Sequence, residues 1–253
     1  MAIREYLDTH QAFSVAEFNR AFPGSVTDRN LLARAVRSGA VERVRHGVYV
    51  SKTGPYSRSQ ADPLDVALAT TDDVVFCFLT ALRLHGVLHN VVTVTQFYTA
   101  HKIGPFEYSG HYYQPRRRPD RPTDTQQLFT VTGRRYPVTT REQTLIDCLA
   151  RPGSAGGPEN LLRSLSGFAY LDSNRLLSLP ASGNTRAKLG WLLEAKREEW
   201  RVDDAMLHGL EQSLGAGPYY FWSSRPPKDS HWVNRWRLYL PYPEQEMITW
   251  LNQ

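Results

Sequence analysis

Apolar residues near the start of the chain recur every three or four positions, which is the period of an amphipathic helix. Residues 3–9 form one such segment, and residues 15–22 form a second. Ser14 and Glu17 have the spacing of a capping box, in which two side chains bond free backbone N–H groups at a helix start. The pattern predicts two short helices, and a Pro-Gly pair ends the second.

The next predicted helix, at about residues 28–38, has two contrasting faces. Its apolar side, which we expect to dock on the rest of the domain, consists of Leu31, Leu32, Ala35 and Val36. The opposite side carries a polar stripe made of Thr27, Asn30, Arg34 and Arg37, with Arg29 beside it. A recognition helix presents such a stripe to DNA, and the solvated face of any amphipathic helix has the same pattern.

The stripe suggests a role for each of its members. We expect Asn30, Arg34 and Arg37 to contact base edges in the major groove, since amide and guanidinium groups match the edges of adenine and guanine. Thr27 has the side chain of an N-cap. Because a helix N-terminus attracts anions, we expect Thr27 and Arg29 to contact phosphates.

A short hairpin follows this helix. Residues 40–44 and 48–50 have strand composition, and Arg45–Gly47 between them predicts a tight turn in which glycine takes a positive φ. Helix, turn, helix and hairpin in this order predict a winged helix-turn-helix. We expect three side chains of the wing to lie along the DNA backbone or minor groove: Arg43, Arg45 and His46. A winged helix with a purely structural or protein-binding role is the alternative.

The rest of the chain predicts a second, larger domain. Residues 51–60 are polar and rich in turn formers, so we place the boundary there. The sequence thus predicts an α+β protein in two domains. They are an N-terminal winged helix-turn-helix that binds DNA, at residues 1–57, and a mixed α/β domain at residues 60–253.

Strand and helix patterns continue through the larger domain. Segments 91–99 and 106–114 each have the composition of a strand. Thr139 and Glu142 have the spacing of another capping box, which predicts a helix start. The apolar spacing in residues 185–200 predicts a long amphipathic helix.

Charge favours a nucleic-acid partner. The formal net charge is +5; residues 1–60 hold nine Lys and Arg against five acids, and residues 101–141 hold eight against three. Arginine predominates, and its planar guanidinium suits phosphates and base edges. Arg116–Arg118, between two prolines, is typical of a solvated loop, and a second contact with a nucleic-acid backbone is the alternative. A basic surface of this kind attracts polyanions.

Cysteine content and hydropathy bear on the compartment. The two cysteines, Cys77 and Cys148, lie in apolar runs and are typical of reduced core residues. No apolar stretch reaches the roughly 18 residues of a membrane span. We therefore expect a soluble, cytoplasmic protein that does not associate with membranes.

A metal-dependent nuclease is the alternative function, because the segment Glu194–Lys196 resembles part of such a site. A nuclease site needs these residues on a strand, whereas the surrounding leucines have helical spacing. His85 and His89 have a spacing that could hold a metal, but Gly86 ends the helix between them, so we expect His85 to be hydrogen-bonded in the core. We predict no catalytic residues, no metal and no cofactor.

Four segments, taken in order, resemble those of a known family. They are Val44–Tyr49, Phe78–Val87, Arg141–Leu149 and Lys188–Glu194. Together they resemble the antitoxins of AbiE-type abortive-infection systems, a type IV class of toxin–antitoxin pairs. The resemblance covers about residues 10 to 200 and does not extend to the aromatic stretch after about residue 215.

The resemblance implies both a function and partners. It implies a winged-helix repressor that binds inverted repeats of double-stranded DNA in its own promoter. It also implies a C-terminal domain that counters a nucleotidyltransferase-like toxin without forming a stable complex. The expected function is therefore a non-enzymatic transcriptional regulator and antitoxin in phage defence.

Overall fold

The computed structural model contains both helices and strands. The residues described are 2–23, 26–118, 124–129, 133–222 and 229–253, with the side chains of residues 26–29 outside the description. Its α-helices are α1 (Ile3–Thr9), α2 (Val15–Ala21), α3 (Val26–Arg37), α4 (Pro63–Leu68), α5 (Phe78–Leu84), α6 (Arg141–Ala150), α7 (Pro158–Ser166), α8 (Ser173–Ser178), α9 (Gly183–Ala195), α10 (Asp204–Gln212) and α11 (Glu244–Leu251). Its strands are β1 (Ala12–Ser14), β2 (Val41–Arg45), β3 (Val48–Ser51), β4 (Val75–Phe76), β5 (Val94–Thr99), β6 (Phe106–Tyr108), β7 (His111–Arg117), β8 (Thr125–Phe129), β9 (Arg135–Thr139), β10 (Tyr219–Tyr220), β11 (His231–Val233) and β12 (Leu238–Leu240).

The chain divides into two compact units. The first unit comprises Met1–Val75 and Thr93–Arg121, and the second comprises Phe76–Val92 and Pro122–Gln253. The predicted domain boundary at residues 57–60 falls inside the first unit. The division into a DNA-binding domain and a C-terminal domain at that boundary stays a prediction, which limited proteolysis would test.

The first six elements of the first unit form the winged helix. They follow the order α1-β1-α2-α3-β2-β3, and the strands pair antiparallel in the order β1-β3-β2. The predicted capping box is present: the Ser14 hydroxyl accepts from the Glu17 N–H at 3.0 Å, and the Glu17 carboxylate accepts from the Ser14 N–H at 2.6 Å. Gly47 takes a φ of +77° in the turn between β2 and β3, as predicted.

An aromatic cluster holds the winged helix together. Phe13 and Phe18 are fully buried, and the Tyr6 ring lies edge-on to both, with centroid distances of 5.4 and 5.6 Å. Leu32 and Ala35 bring α3 into the same cluster. Burying one large apolar side chain stabilises a fold by about 1.5–3 kcal/mol, so this cluster fixes the position of α3.

Three further strands belong to the first unit. β5 pairs with β7 in parallel, and β6 pairs with β7 antiparallel. The prediction of one strand at residues 106–114 is wrong, because Ser109 and Gly110 turn the chain with φ angles of +51° and +73°. Two successive positive φ angles are typical of a tight hairpin turn. The loop predicted at Arg116–Arg118 is wrong for its first two residues, since β7 continues to Arg117.

In the second unit, Phe76 of β4 pairs with β9, and β9 pairs with β8. Thr140 caps α6, since its hydroxyl accepts a backbone N–H of the first turn at 3.2 Å. Glu142 instead accepts the backbone N–H of Asp172 at 2.9 Å. The capping box predicted from Thr139 and Glu142 is therefore wrong: the cap lies one residue later, and the glutamate reaches a different segment.

α9 ends at Ala195, and not at residue 200 as predicted. It is buried on nearly every side, so it is not the amphipathic helix that the sequence predicts. The aromatic C-terminal stretch packs against it: Trp236 is fully buried, its ring lies over Gly190, and its indole N–H donates to Glu194 at 2.6 Å. This stretch forms a small sheet with the order β10-β12-β11.

Two expectations from composition can be compared with the structure. Cys77 and Cys148 are both buried, which agrees with their predicted place in the core. Within the part of the chain that the structure describes, no helix combines the length and apolar character needed to cross a membrane.

Lys188 of α9 gives the second unit a pH-dependent stability. The side chain is 2 % exposed, and its ammonium donates to the Leu149 carbonyl near the end of α6 at 2.8 Å. Burial lowers the pKa of Lys188 from 10.5 to about 8. Between these two pH values the unfolded chain keeps a proton that the folded chain has lost, so this group makes the free energy of unfolding rise with pH.

We therefore expect the wild type to gain about 3 kcal/mol in free energy of unfolding, relative to Lys188→Met, as pH rises from 8 to 10.5. Below pH 8 the difference between the two proteins should be constant, because both states of the wild type are protonated. Urea denaturation of both proteins across this range measures it. If the difference in free energy of unfolding between the wild type and Lys188→Met does not change with pH, the assignment of a depressed pKa to Lys188 is wrong.

Candidate nucleic-acid interface

Three residues of the predicted polar stripe of α3 lie on the solvent side of the winged helix. Asn30, Arg34 and Arg37 are all exposed, whereas Leu32 and Ala35 on the other side are buried. The predicted apolar face is confirmed for Leu32 and Ala35, whereas Leu31 is half-buried and the prediction that Val36 docks on the domain is wrong, because its side chain is exposed. An exposed helix face that carries an amide and two guanidinium groups can reach base edges in a major groove.

The start of α3 bears the two remaining residues of the predicted stripe. The helix begins at Val26, so Thr27 lies within its first turn, and the prediction that Thr27 is the N-cap is wrong. The side chains of Thr27 and Arg29 lie outside the described part of the chain. Their contact with phosphates stays a prediction.

Two side chains of the wing contact each other. The Arg43 guanidinium donates to Nδ1 of His46 at 3.0 Å and to the Arg45 carbonyl at 3.2 Å. Because a guanidinium only donates, His46 accepts at Nδ1, and a neutral imidazole then carries its proton on Nε2. Arg43 and His46 are both exposed, so they present hydrogen-bond donors to solvent at the tip of the hairpin.

Arg45 is the wing residue that contacts β6 and the loop before it. Its guanidinium lies 4.7 Å from the centroid of the Phe106 ring, and one of its N–H groups points to the Gly104 carbonyl at 3.5 Å. Burial lowers the pKa of Arg45. An arginine remains charged in spite of such a shift, so the stacked guanidinium keeps its charge and has further donors for a phosphate.

The same hairpin is attached to β6 at a second point. The Tyr108 hydroxyl donates to the Glu42 carboxylate at 3.0 Å, and Lys52 lies 3.4 Å from the same oxygen. Burial and the bond to Glu42 together raise the pKa of Tyr108. Two residues of β2 therefore bind β6 or its preceding loop: Glu42 binds Tyr108, and Arg45 contacts Phe106 and Gly104. These contacts restrict the movement of the wing.

Sequence reasoning did not find Phe106 and Tyr108 as supports of the wing. Their alternation on a short strand is visible in the sequence, and it places both side chains on the same face of β6. No spacing rule connects them to Glu42 or Arg45, because the contact depends on how distant segments pack.

Three of the residues that suggested a metal or a nuclease, His85, Glu194 and Lys196, are engaged elsewhere. Nε2 of His85 bonds the Thr139 carbonyl at 2.9 Å, so the predicted hydrogen bond is present, and the side chain is half-buried. Glu194 accepts from Arg235 at 2.5 Å as well as from Trp236. Lys196 binds Glu199 and is buried, so Glu194 and Lys196 do not point at a common site.

The fold is similar to that of the RV2827C protein from Mycobacterium tuberculosis. The likeness has a TM-score of 0.65, with 16 % sequence identity, and covers 98 % of this chain and 93 % of that chain. No protein-family model and no curated protein matches the sequence.

At this level of identity, the likeness to RV2827C establishes the fold and carries no activity across. The similarity covers nearly the full length of both chains, so the winged helix and the following mixed α/β part are matched together. The predicted α+β class, with an N-terminal winged helix-turn-helix, is confirmed.

Proposed function

We propose that this chain is a transcriptional repressor that binds inverted repeats of double-stranded DNA in its own promoter. One observation carries the proposal: the buried side of α3 faces the core, and Asn30, Arg34 and Arg37 face solvent beside a cationic wing. A winged helix with a purely structural role would not need positive charge on both α3 and the wing. Phosphate contacts fix such a protein on the duplex, and the helix reads the bases.

The proposal extends to a role as the antitoxin of an AbiE-type phage-defence system, with a nucleotidyltransferase-like toxin as partner and no stable complex between them. Support comes from the four sequence segments that resemble this family. Three of them lie in the second unit, and two of those fall on α6 and α9. The segment Lys188–Glu194 includes Gly190, over which the Trp236 ring packs, and Lys188, which bonds the end of α6.

The proposed function is non-enzymatic. Support comes from the partners of Glu194, because an ion pair with Arg235 and a bond from Trp236 use both of its carboxylate oxygens. Plasmid incubated with the pure protein and Mg²⁺ or Mn²⁺ should remain uncut. Cleavage that Glu194→Ala abolishes would favour a metal-dependent nuclease instead.

A promoter reporter tests the regulatory role. The chain's own upstream region, placed before a reporter gene, should be repressed when the protein is supplied from a second plasmid. Repression that equals that of an unrelated promoter would contradict the proposal. The antitoxin role has a separate test: co-expression with the nucleotidyltransferase-like protein should restore growth, and a growth arrest that persists would contradict that part alone.

A further inference from the structure

The loop between β5 and β6 reaches the wing. Its last part is fixed there, since the Gly104 carbonyl accepts from Arg45 at 3.5 Å and Phe106 lies under the same guanidinium. Lys102 is only two residues before Gly104, so their Cα atoms are within about 7 Å of each other. The exposed Lys102 side chain therefore belongs to the surface next to the wing.

Arg117 lies at the same end of the sheet. The parallel pairing of β5 with β7 places Thr99 beside Arg117, and the backbone N–H of Arg118 bonds the Thr99 carbonyl at 2.8 Å. The loop that carries Lys102 leaves β5 at this point. The carboxyl ends of the two parallel strands thus bring Lys102 and Arg117 to one edge.

Strand alternation also places Arg117 on the face of the sheet that is next to the wing. The Phe106 and Tyr113 rings stack at 4.4 Å with an interplanar angle of 1°, so both side chains lie on one face of the sheet. Arg117 follows Tyr113 by four residues on the same strand and shares that face. Because Arg45 rests on Phe106, the exposed Arg117 side chain projects on the wing side of the sheet.

Two acids lie near this edge, Asp72 and Asp73. Asp73 accepts from the Thr99 hydroxyl and the Ala100 N–H, each at 2.6 Å, and from Thr71 at 2.9 Å. These bonds outweigh the effect of burial and lower the pKa of Asp73, so it remains ionised and fixes the start of the loop. Asp72 is exposed and lies 3.8 Å from Nε2 of His101.

Two cations of this edge are left for an external anion. Among the described residues, no hydrogen bond or ion pair involves the side chain of Lys102 or of Arg117. The loop is fixed at its start by Asp73 and at its end by Arg45, and Arg117 lies on a paired strand. Two cations on a backbone that is ordered in advance can bind anions with little loss of conformational entropy.

We propose that Lys102 and Arg117 form a second phosphate-binding surface beside the wing, which extends the DNA footprint beyond α3 and the hairpin. This inference rests on the proposed DNA binding and says which residues, in addition to the winged helix, contribute to it. These contacts hold the backbone and read no bases, so they add affinity for every sequence alike.

The test compares the full-length double variant Lys102→Ala/Arg117→Ala with the wild type by fluorescence anisotropy. The probes are a duplex from the upstream region and a duplex with the same bases shuffled. Each is titrated at KCl concentrations from about 50 to about 300 mM, which defines the slope of affinity against salt. Each phosphate contact contributes about 0.9 to the slope of log Kobs against log salt, so the slope should decrease by about two. The preference for the upstream duplex should be unchanged.

The matched control is Arg151→Ala/Arg201→Ala, which removes the same charge from exposed positions of the second unit. Its salt slope should equal that of the wild type, and melting curves should show that both variants fold. If the wild type binds the duplex and the Lys102/Arg117 variant keeps the full slope, the second surface is wrong while the DNA-binding proposal stands. If the wild type binds neither duplex at low salt, both proposals fail.

Discussion

Charge reversal of Arg34 and Arg37 together should weaken binding to the upstream duplex by roughly 100-fold or more. Loss of an arginine that reads a base costs about 1–3 kcal/mol, and each introduced carboxylate also repels the phosphates. Both side chains are exposed on α3, and the buried residues Leu32 and Ala35 that hold the helix are untouched. A mobility-shift titration of Arg34→Glu/Arg37→Glu against the wild type measures the effect.

The control for charge alone is Arg151→Glu/Arg201→Glu in the second unit. It changes the net charge by the same amount and should cost little affinity at physiological salt, since the screening length there is about 8 Å. If both double variants lose the same affinity, the effect comes from overall charge and the role of α3 as a recognition helix is wrong. If the α3 variant binds like the wild type, that role is also wrong.

Gly190→Ala should lower the free energy of unfolding of the second unit by about 3 kcal/mol or more. A Cβ at this position would overlap ring atoms of Trp236. The ring is fully buried and its N–H is bonded to Glu194, so it cannot move without breaking that bond and the packing around it. The melting temperature should fall by about 6–12 °C, since 1 kcal/mol corresponds to about 2–4 °C for a unit of this size.

Gly209→Ala is the matched control, because Gly209 lies in α10 and nothing is within 4 Å of the position its Cβ would take. This change should be neutral or stabilise the protein by up to about 1 kcal/mol, since alanine loses less backbone entropy in a helix. Thermal melts of both variants measure the contrast. A Gly190→Ala protein that melts like Gly209→Ala would show that Trp236 does not fill this space.

The winged helix could be predicted from sequence because its signals are local. The capping pair Ser14 and Glu17 acts within one helical turn, and Gly47 acts within one hairpin turn. The two faces of α3 follow from the helical period alone. The start of α3 was placed about two residues too late, after Thr27 instead of at Val26, since helix ends depend on details that side-chain preference does not determine.

Elements that depend on distant pairing were predicted less well. Pro115 and the arginines around it are typical of a loop, yet β7 runs through them because it pairs with β5 on one side and β6 on the other. The turn at Ser109-Gly110 was missed within a run of strand-forming residues. Pairing partners far apart in the chain override the local preference of single residues.

The candidate site shows the same limit. Asn30, Arg34 and Arg37 were found by their spacing on one helix. The stacking of Arg45 on Phe106 and the nearness of Lys102 to the wing could not be found, since both require the packing of β6 and its preceding loop against the hairpin. The charge count of residues 101–141 did indicate that this region is basic, without indicating which of its residues meet the wing.

The central claim is that α3 and the wing bind DNA and discriminate between sequences. An anisotropy titration of the wild-type chain against the upstream duplex and against the same bases shuffled, both at physiological salt, tests it most directly. We expect the upstream duplex to bind roughly 1,000-fold more tightly or better, as specific sites do, with affinity for both duplexes falling steeply as salt rises. Equal affinity for the two duplexes, or binding that salt does not weaken, would contradict the claim.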